Sequence, residues 1–221
     1  MGKRIKINYD EKANYILDNL IVLHKKYYSL RTFDGPSLYF HQKALKKSDK
    51  QYEYIYAALT SWGMHRMGKR GAKMTDFKTF IDSLKTIRNN VKLSRIKKLD
   101  SLSESDFTKL EIIFRSIKIM KTNTNIVGNS KVIAHLFPKA VPPIDREYTL
   151  YYLRGSKSIV NNLDKEWELY KNIIIHFYQI ISKNRNFKSS ANRWLKKKKK
   201  YPWDTSIPKI IDNLVIAAIE K

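Results

Sequence analysis

Apolar side chains recur every three or four residues along most of this chain, the spacing that forms one face of an α-helix. These stripes predict helices over residues 10–28, 36–45, 52–62, 77–87, 104–117, 131–137, 146–153, 164–181 and 208–219. Residues that favour helix N-termini stand at several of the predicted starts: Asp10, Thr75, Ser103 with Asp106, Asp145 and Asp164. No convincing run of alternating apolar and polar residues predicts a β-strand. The pattern therefore predicts an all-α fold.

The length of the chain, 221 residues, is sufficient for one large helical domain with a substantial core. Aromatic residues make up 12% of the chain, a content that disordered basic proteins lack. We therefore expect a single helical domain over residues 1–221. If this domain divides into lobes, residues 35–150 would form a central lobe around a hairpin. Residues 1–34 and 151–221 would then form a terminal lobe.

The charge of the chain points to an anionic partner. It contains 44 Lys and Arg residues against 20 Asp and Glu residues, a formal net charge of +24. Because self-repulsion at this level opposes a compact state, we expect a partner rich in phosphates, and double-stranded DNA first. The alternative is a lysine-rich surface that only keeps the protein in solution.

Several classes of protein are excluded or disfavoured by composition. The chain has no cysteine, which excludes disulfides, thiol catalysis and cysteine-ligated metals. Its five histidines show no metal-ligand spacing, so we expect no metal and no cofactor. The N-terminus lacks the apolar segment of a secretory signal, and no apolar run is long enough to cross a bilayer. We expect a cytoplasmic, nucleoid-associated protein without a membrane partner.

The positive charge is concentrated in two blocks. Residues 61–98 contain eleven basic and two acidic residues, and residues 183–200 contain nine basic residues and no acid. In the second block the candidate nucleic-acid contacts are Arg193, Lys196, Lys197 and Lys198. Three aromatic residues, Trp194, Tyr201 and Trp203, flank the lysine run. They fit either stacking on bases or anchoring of this segment to the domain.

The segment SWGMHRMGKRGAKM, residues 61–74, combines three glycines with several cations. Glycine allows a backbone to turn sharply or to approach a phosphate closely. The candidate phosphate contacts here are Arg66, Lys69, Arg70 and Lys73. A helix C-cap followed by a linker explains the same residues equally well.

The segment IVGNSKVIAHLFPKAVPPIDREYTLYYL, residues 126–153, predicts a helix–hairpin–helix arrangement. Gly128 is expected to make a sharp bend, and Asn129 or Ser130 to cap the helix that follows. Outward-pointing N–H groups of such a bend and helix N-terminus can bind a phosphate. Gly128, Asn129 and Ser130 are therefore candidate nucleic-acid contacts, as is Arg146.

This segment resembles the helix–hairpin–helix DNA glycosylase superfamily. The resemblance implies an all-α fold of two lobes in which Lys131 is a nucleophile that forms a Schiff base and Asp145 is catalytic. It covers about 30 residues. The family hairpin usually carries two glycines with one residue between them, whereas Ser130 stands in the second place here. In that register the family's lysine position falls on Val132, one residue after Lys131.

Two classes of function remain. The first is an enzyme of base-excision repair, a glycosylase with or without lyase activity; the second is a non-catalytic DNA-binding module. Structural roles also fit the candidate residues: Lys131 as an exposed lysine, Asp145 as an N-cap and His135 as a core histidine. An enzyme requires a cavity for a flipped base with Asp145 at its mouth, and a binding module does not.

Overall fold

The computed structural model describes residues 7–31, 35–66, 74–90 and 96–220, and this part of the chain is all-α, as predicted. Its α-helices are α1 (Tyr9–Asp18), α2 (Leu20–Leu30), α3 (Pro36–Ala44), α4 (Gln51–Ser61), α5 (Phe77–Asn90), α6 (Glu104–Ser116), α7 (Ile126–Leu136), α8 (Tyr151–Arg154), α9 (Leu163–Ile173), α10 (Gln179–Lys183), α11 (Arg185–Lys196) and α12 (Ile207–Ile219). Short 3-10 turns lie at Met64–Arg66 and Leu99–Ser101. None of the helices in the described ranges is long and apolar enough to cross a membrane.

Two of the predicted long helices are interrupted. The helix predicted over 10–28 is split at Asn19, whose side-chain amide donates to the carbonyl of Tyr15. The helix predicted over 164–181 contains a π-helical turn, Ile174–Tyr178, between α9 and α10. Buried apolar side chains nevertheless lie on both sides of each break. One residue of the first stripe, Ile21, is 48% exposed and was wrongly placed inside.

The predicted caps at Ser103 and Asp145 are confirmed. Ser103 and Asp106 form a capping box at the start of α6, and the carboxylate of Asp145 accepts from the N–H of Glu147 at 2.8 Å. Side-chain acceptors of this kind satisfy N–H groups that the helix itself leaves unpaired.

The other three predicted caps are wrong by one or two residues. Asn8 and Asn162 accept the capping hydrogen bonds of α1 and α9. Asp76 accepts from the N–H of Thr79 at the start of α5. Thr75, which we predicted as the cap of α5, instead donates its hydroxyl to the carbonyl of Lys118. Asp and Asn near a helix start are hard to rank from sequence because both are good caps.

The buried apolar residues form one continuous cluster that includes side chains from nearly all of the helices. Its centre is α12, in which every residue from Pro208 to Ala217 is buried. A helix that is covered on all sides must satisfy its own polar groups. The amine of Lys209 does so by contacting Asp212 at 2.7 Å and Asn213 at 2.6 Å.

The bend predicted at Gly128 is absent, and this corrects the helix–hairpin–helix prediction. Helix α7 already begins at Ile126, so Gly128 lies inside its first turn. A Cβ atom at Gly128 would lie 2.8 Å from side-chain atoms of both Ile119 and Met120. Glycine is required here because α7 packs closely against the extended segment that joins α6 to α7, and not because the backbone turns.

The stretch that follows Asp145 also differs from a regular helix. Residues Arg146–Leu150 form a π-helical turn that leads into α8, and Gly155 ends α8 with a left-handed φ of 62°. π-Helical turns within helices occur frequently at functional sites. This one starts directly after Asp145, the residue that the sequence singled out.

Candidate functional site

The structure brings together Lys131 and Asp145, the two residues that the sequence selected as catalytic candidates. The Nζ atom of Lys131 lies 2.7 Å from Oδ2 of Asp145, and the two side chains are 8% and 27% exposed. Lys131 lies in the second turn of α7, and the proline-containing segment 138–144 returns the chain to it. The N–H of Ile144 donates to the hydroxyl of Ser130 at 2.9 Å, which fixes this return. Lys131 is therefore a buried partner of an ion pair, and not the exposed lysine of the structural alternative.

The ion pair holds Asp145 in its charged form. Burial raises the pKa of Asp145, but the charge and hydrogen bond of Lys131 and the N–H groups of Glu147 and Tyr148 together hold that pKa below its ordinary value. The ring of Trp62 covers the amine, with 5.6 Å between Lys131 Nζ and the ring centroid. The amine of Lys131 thus contacts the carboxylate of Asp145 on one side and the face of the Trp62 ring on another.

Two buried histidines adjoin this pair. His135 contacts the carbonyl of Lys131 through Nδ1 at 2.7 Å, and its Nε2 lies 3.0 Å from Nδ1 of His41. A carbonyl only accepts, so Nδ1 of His135 carries the proton and its Nε2 accepts from His41. The remaining nitrogen of His41 then accepts from the hydroxyl of Thr205 at 3.1 Å. The contacts fix one neutral tautomer for each ring.

Burial keeps both histidines uncharged. It lowers the pKa of His135 to about 4 and holds the pKa of His41 well below its ordinary value. The charges of Lys209 and Lys131 act in the same direction on His135. The structural reading of His135 as a core histidine is confirmed by its 1% exposure.

A cavity lies between the histidines and the start of α12, and it is very small. Its volume is about 10 Å³, and its walls include His41, Trp62, His135, Thr205 and Lys209. That volume holds a water molecule at most. Sites for small organic ligands are usually clefts of roughly 300–1,000 Å³. A nucleobase therefore does not fit this cavity in the present conformation.

The N-terminus of α7 already carries an anion of the protein itself. Oε2 of Glu166, a buried residue of α9, accepts from the N–H groups of Asn125 at 2.6 Å and Ile126 at 2.5 Å. A helix N-terminus attracts negative charge. Because Glu166 supplies that charge, the phosphate that we predicted at this helix start would meet a carboxylate.

The other candidates around the predicted bend also lie inside the protein. Gly128, Asn129 and Ser130 are buried, the amide of Asn129 donates to the carbonyl of Phe114, and the hydroxyl of Ser130 accepts from Ile144. These residues hold α7 in place and present no polar group to a phosphate. The prediction of phosphate contacts there depended on the bend, which the helix replaces.

Helix α11 has two different faces. The buried face consists of Phe187, Ser190, Ala191 and Trp194. Arg185, Arg193 and Lys196 are exposed, and the lysines that follow, through Lys200, are exposed as well. Residues three, four, seven and eight apart share one side of a helix, so these three cations form a stripe that the lysine run continues. The fourth cation of α11, Lys188, already pairs with Asp100 at 2.9 Å.

The aromatic residues beside the lysine run are anchors. Trp194 stacks on His24 with 3.7 Å between the ring centroids and 3° between the planes. Trp203 is only 6% exposed, and Tyr201 contacts the rings of His24 and Tyr28. The anchoring alternative of the sequence analysis is therefore the correct one.

Only some of the remaining basic candidates lie within the described part of the chain. Arg146 is half-buried and follows Asp145 directly. Arg66 ends the short turn Met64–Arg66, while Lys69, Arg70 and Lys73 lie outside the described residues. Gly63 follows the end of α4 with a φ of 78°, so a helix C-cap is confirmed for the first glycine of that segment.

Sequence reasoning missed Trp62, His41, Thr205 and Lys209 as parts of the site. His41 is 94 residues from His135 and 164 residues from Thr205, and no local pattern connects such positions. The sequence of α12 did contain a pattern from which Lys209 could have been recognised. Lys209, Asp212 and Asn213 are spaced three and four residues apart in an otherwise apolar helix, which indicates a buried polar network.

Within the described ranges, no group of three or more His, Asp or Glu side chains is arranged to hold a metal ion. The candidate site consists instead of the Lys131–Asp145 ion pair and two neutral histidines beside it. A separate cationic face lies on α11. Comparisons with family models, with curated proteins and with solved structures find no match for this chain.

Proposed function

We propose that this protein binds double-stranded nucleic acid, DNA first, through the exposed face of α11 and the lysine run that follows it. The observation that carries this proposal is the segregation of α11: one face is buried, while Arg185, Arg193 and Lys196 are exposed, with no acid anywhere in residues 183–200. At about 1.5 Å per residue, Arg185 and Lys196 are about 16 Å apart along the helix. This length spans several phosphates of a nucleic-acid strand.

The inward orientation of the aromatic rings favours recognition of the backbone. Proteins that bind single strands stack bases on exposed aromatic residues. Trp194 and Trp203 are buried, so this surface offers cations to phosphates and no ring of these two residues to a base. Phosphate contacts carry no sequence information, and the binding should therefore be independent of sequence and strongly dependent on salt.

The test is a salt titration with a labelled duplex and two charge variants. Arg185, Arg193 and Lys196 are changed together to Gln in the first variant. The matched control changes three exposed lysines between α3 and α4 to Gln: Lys46, Lys47 and Lys50. Each lost phosphate contact should reduce the slope of log K against log salt by about 0.9 and weaken binding by about tenfold near 0.1 M salt.

The control should retain most of the affinity of the unaltered protein. Equal losses in both variants would show that only net charge matters. Absence of duplex binding by the unaltered protein at low salt would refute the proposal.

A second candidate function is base-excision chemistry at Lys131 and Asp145, with duplex DNA as substrate. One observation favours it: the amine and the carboxylate lie 2.7 Å apart, beneath the ring of Trp62 and directly before a π-helical turn. In such chemistry Asp145 would stabilise the cationic sugar as the base leaves. The neutral amine of Lys131 would then add to C1′ of that cation, and cleavage of the C1′–O4′ bond, with a proton passing from the amine to O4′, would give a Schiff base.

The present conformation requires two changes before this chemistry. The ammonium of Lys131 must lose its proton, and space for a base must open beside the pair, because the adjoining cavity of about 10 Å³ is lined by neither Lys131 nor Asp145. The test incubates a duplex containing an abasic site with the protein and borohydride, which reduces a Schiff base to a stable adduct. The unaltered protein should form the adduct and Lys131→Gln should not. If a panel of lesions yields neither adduct nor base release, the binding function stands alone.

A further inference from the structure

A polar groove lies on the side of α7 that faces away from Lys131. Asn125 and Asn129, one turn apart, line the groove, and Asn129 is about 200° around the helix from Lys131. The volume of the groove is about 460 Å³, within the range of sites for small organic ligands. It is bounded by the starts of α5 and α9, the end of α6 and the segment that joins α6 to α7. Neither the Lys131–Asp145 pair nor α11 lines this groove.

The charge along this groove is positive. Arg115, Lys118 and Lys121 line it, and none of its described lining residues is acidic. Arg115 already binds Glu111 and Asp164. Lys118 and Lys121 are exposed and form no ion pair within the described part of the chain, so their amines are available to an anion. The absence of carboxylates among the lining residues argues against a metal cation as the ligand.

Asn129 is a buried polar residue at the wall of the groove. Its side chain is completely buried at the groove, and its amide nitrogen donates to the carbonyl of Phe114 at 2.7 Å. Its Oδ1 atom has no hydrogen-bond partner. Buried acceptors are nearly always paired, so this one requires a donor that the described residues do not supply, either an ordered water or a ligand.

The rest of the lining provides an apolar surface and additional amides. Ile117, Met120 and Leu163 present hydrocarbon to the groove, and Asn161 is exposed beside them. Side-chain amides can pair with the donor and acceptor edges of a nucleobase. The apolar residues can contact its face, as the hydrocarbon parts of base-binding pockets do.

We propose that this groove binds a single nucleoside monophosphate unit. Lys118 and Lys121 hold the phosphate, Ile117 and Met120 contact the base, and Asn161 binds its polar edge. The unit is either a free nucleotide or one unpaired nucleotide of a strand. The proposal is independent of α11, because no residue of that helix lines the groove.

The first experiment titrates the protein with AMP, CMP, GMP and UMP, with ribose 5-phosphate and with inorganic phosphate, followed by the amide shifts of an NMR spectrum. At least one nucleotide should bind at least tenfold more tightly than ribose 5-phosphate. Lys118→Gln with Lys121→Gln should weaken nucleotide binding at least tenfold. The matched control, Lys46→Gln with Lys47→Gln, should not.

A variant at the base edge separates nucleotide recognition from anion binding. Asn161→Ala should weaken the binding of the preferred nucleotide and leave that of ribose 5-phosphate unchanged. Equal affinity for nucleotides, ribose 5-phosphate and inorganic phosphate would overturn the proposal, because the groove would then be an anion patch. Absence of nucleotide binding would overturn it as well.

A second arm identifies the source of the nucleotide. A duplex with one unpaired nucleotide is compared with the same duplex without it, in the unaltered protein and in the Lys118 and Lys121 double variant. A preference for the unpaired nucleotide that the double variant loses assigns the groove to a strand. Nucleotide binding without that preference assigns it to free nucleotides. The variant with Arg185, Arg193 and Lys196 changed to Gln serves as an independent control. It should weaken the binding of both duplexes and leave mononucleotide binding unchanged.

Discussion

The amine of Lys131 and the carboxylate of Asp145 form an ion pair at 2.7 Å that joins α7 to the start of the following helical segment. Because the side chain of Lys131 is only 8% exposed, its amine cannot simply turn to solvent when the partner is removed. Breaking a pair of this kind leaves an uncompensated charge in a poorly solvated place. Removal of either partner should therefore destabilise the fold whether or not the pair contributes to chemistry.

The first prediction concerns the coupling of these two residues. Lys131→Met and Asp145→Asn should each lower the free energy of unfolding by about 1–3 kcal/mol, and the double variant should lose less than the sum. Urea unfolding of the four proteins at pH 7 measures the coupling. Strictly additive losses would show that the pair makes no net contribution.

The pH dependence of the same pair has a definite sign. The folded state holds the pKa of Asp145 below its ordinary value, so the stabilisation is present above that ordinary value, about 3.9. It is lost as the pH falls through the lower pKa of the folded state. The difference in stability between the unaltered protein and Asp145→Asn should therefore disappear in strong acid.

The second prediction concerns His135. Burial lowers its pKa from 6.5 to about 4, so the unfolded chain binds a proton more readily than the folded protein between these values. The unfolding free energy should fall as the pH is lowered from about 6.5 to 4, by up to about 3 kcal/mol from this residue. His135→Asn keeps a donor for the carbonyl of Lys131 and cannot titrate. This variant should have a flatter profile over that interval, and an unchanged slope would contradict the assignment.

The features that could be predicted depend on residues that are close together in the sequence. The caps at Ser103 and Asp145 act within three residues of themselves, so the sequence shows them directly. Gly128 was misread because its reason is tertiary: Ile119 and Met120 occupy the space of its side chain. The contacts of His41 with His135 and Thr205 are invisible for the same reason. The meeting of Lys131 and Asp145 was expected only from a resemblance, and helical spacing alone does not reveal it.

The third prediction tests the packing at Gly128. Replacement of a helical glycine by alanine normally stabilises a protein by up to about 1 kcal/mol. At Gly128 the new methyl group would overlap atoms of Ile119 and Met120, which are 2.8 Å from the ideal Cβ position. Gly128→Ala should therefore destabilise the protein by about 1–3 kcal/mol in urea unfolding. A gain in stability would show that the extended segment moves aside easily.

The last prediction concerns Glu166, which caps α7 from α9. Burial raises the pKa of Glu166 above 4.5, although the N–H groups of Ile126 and Asn125 act in the opposite direction. A raised pKa contributes stability that is complete below the ordinary value and is lost as the pH rises through the folded value. The stability of the unaltered protein relative to Glu166→Gln should therefore decrease as the pH rises above about 4.5.

Two variants separate the charge of Glu166 from its role as an acceptor. Glu166→Gln retains an oxygen that can accept from Asn125 and Ile126, so it should remain folded and show no pH dependence from this position. Glu166→Ala removes the acceptor and leaves two N–H groups of α7 unpaired, which should cost about 1–3 kcal/mol at every pH. Urea unfolding from pH 4 to pH 8 measures both effects. If Glu166→Ala were as stable as Glu166→Gln throughout, the internal carboxylate would not be what holds the N-terminus of α7, and that helix start would again be open to an external anion.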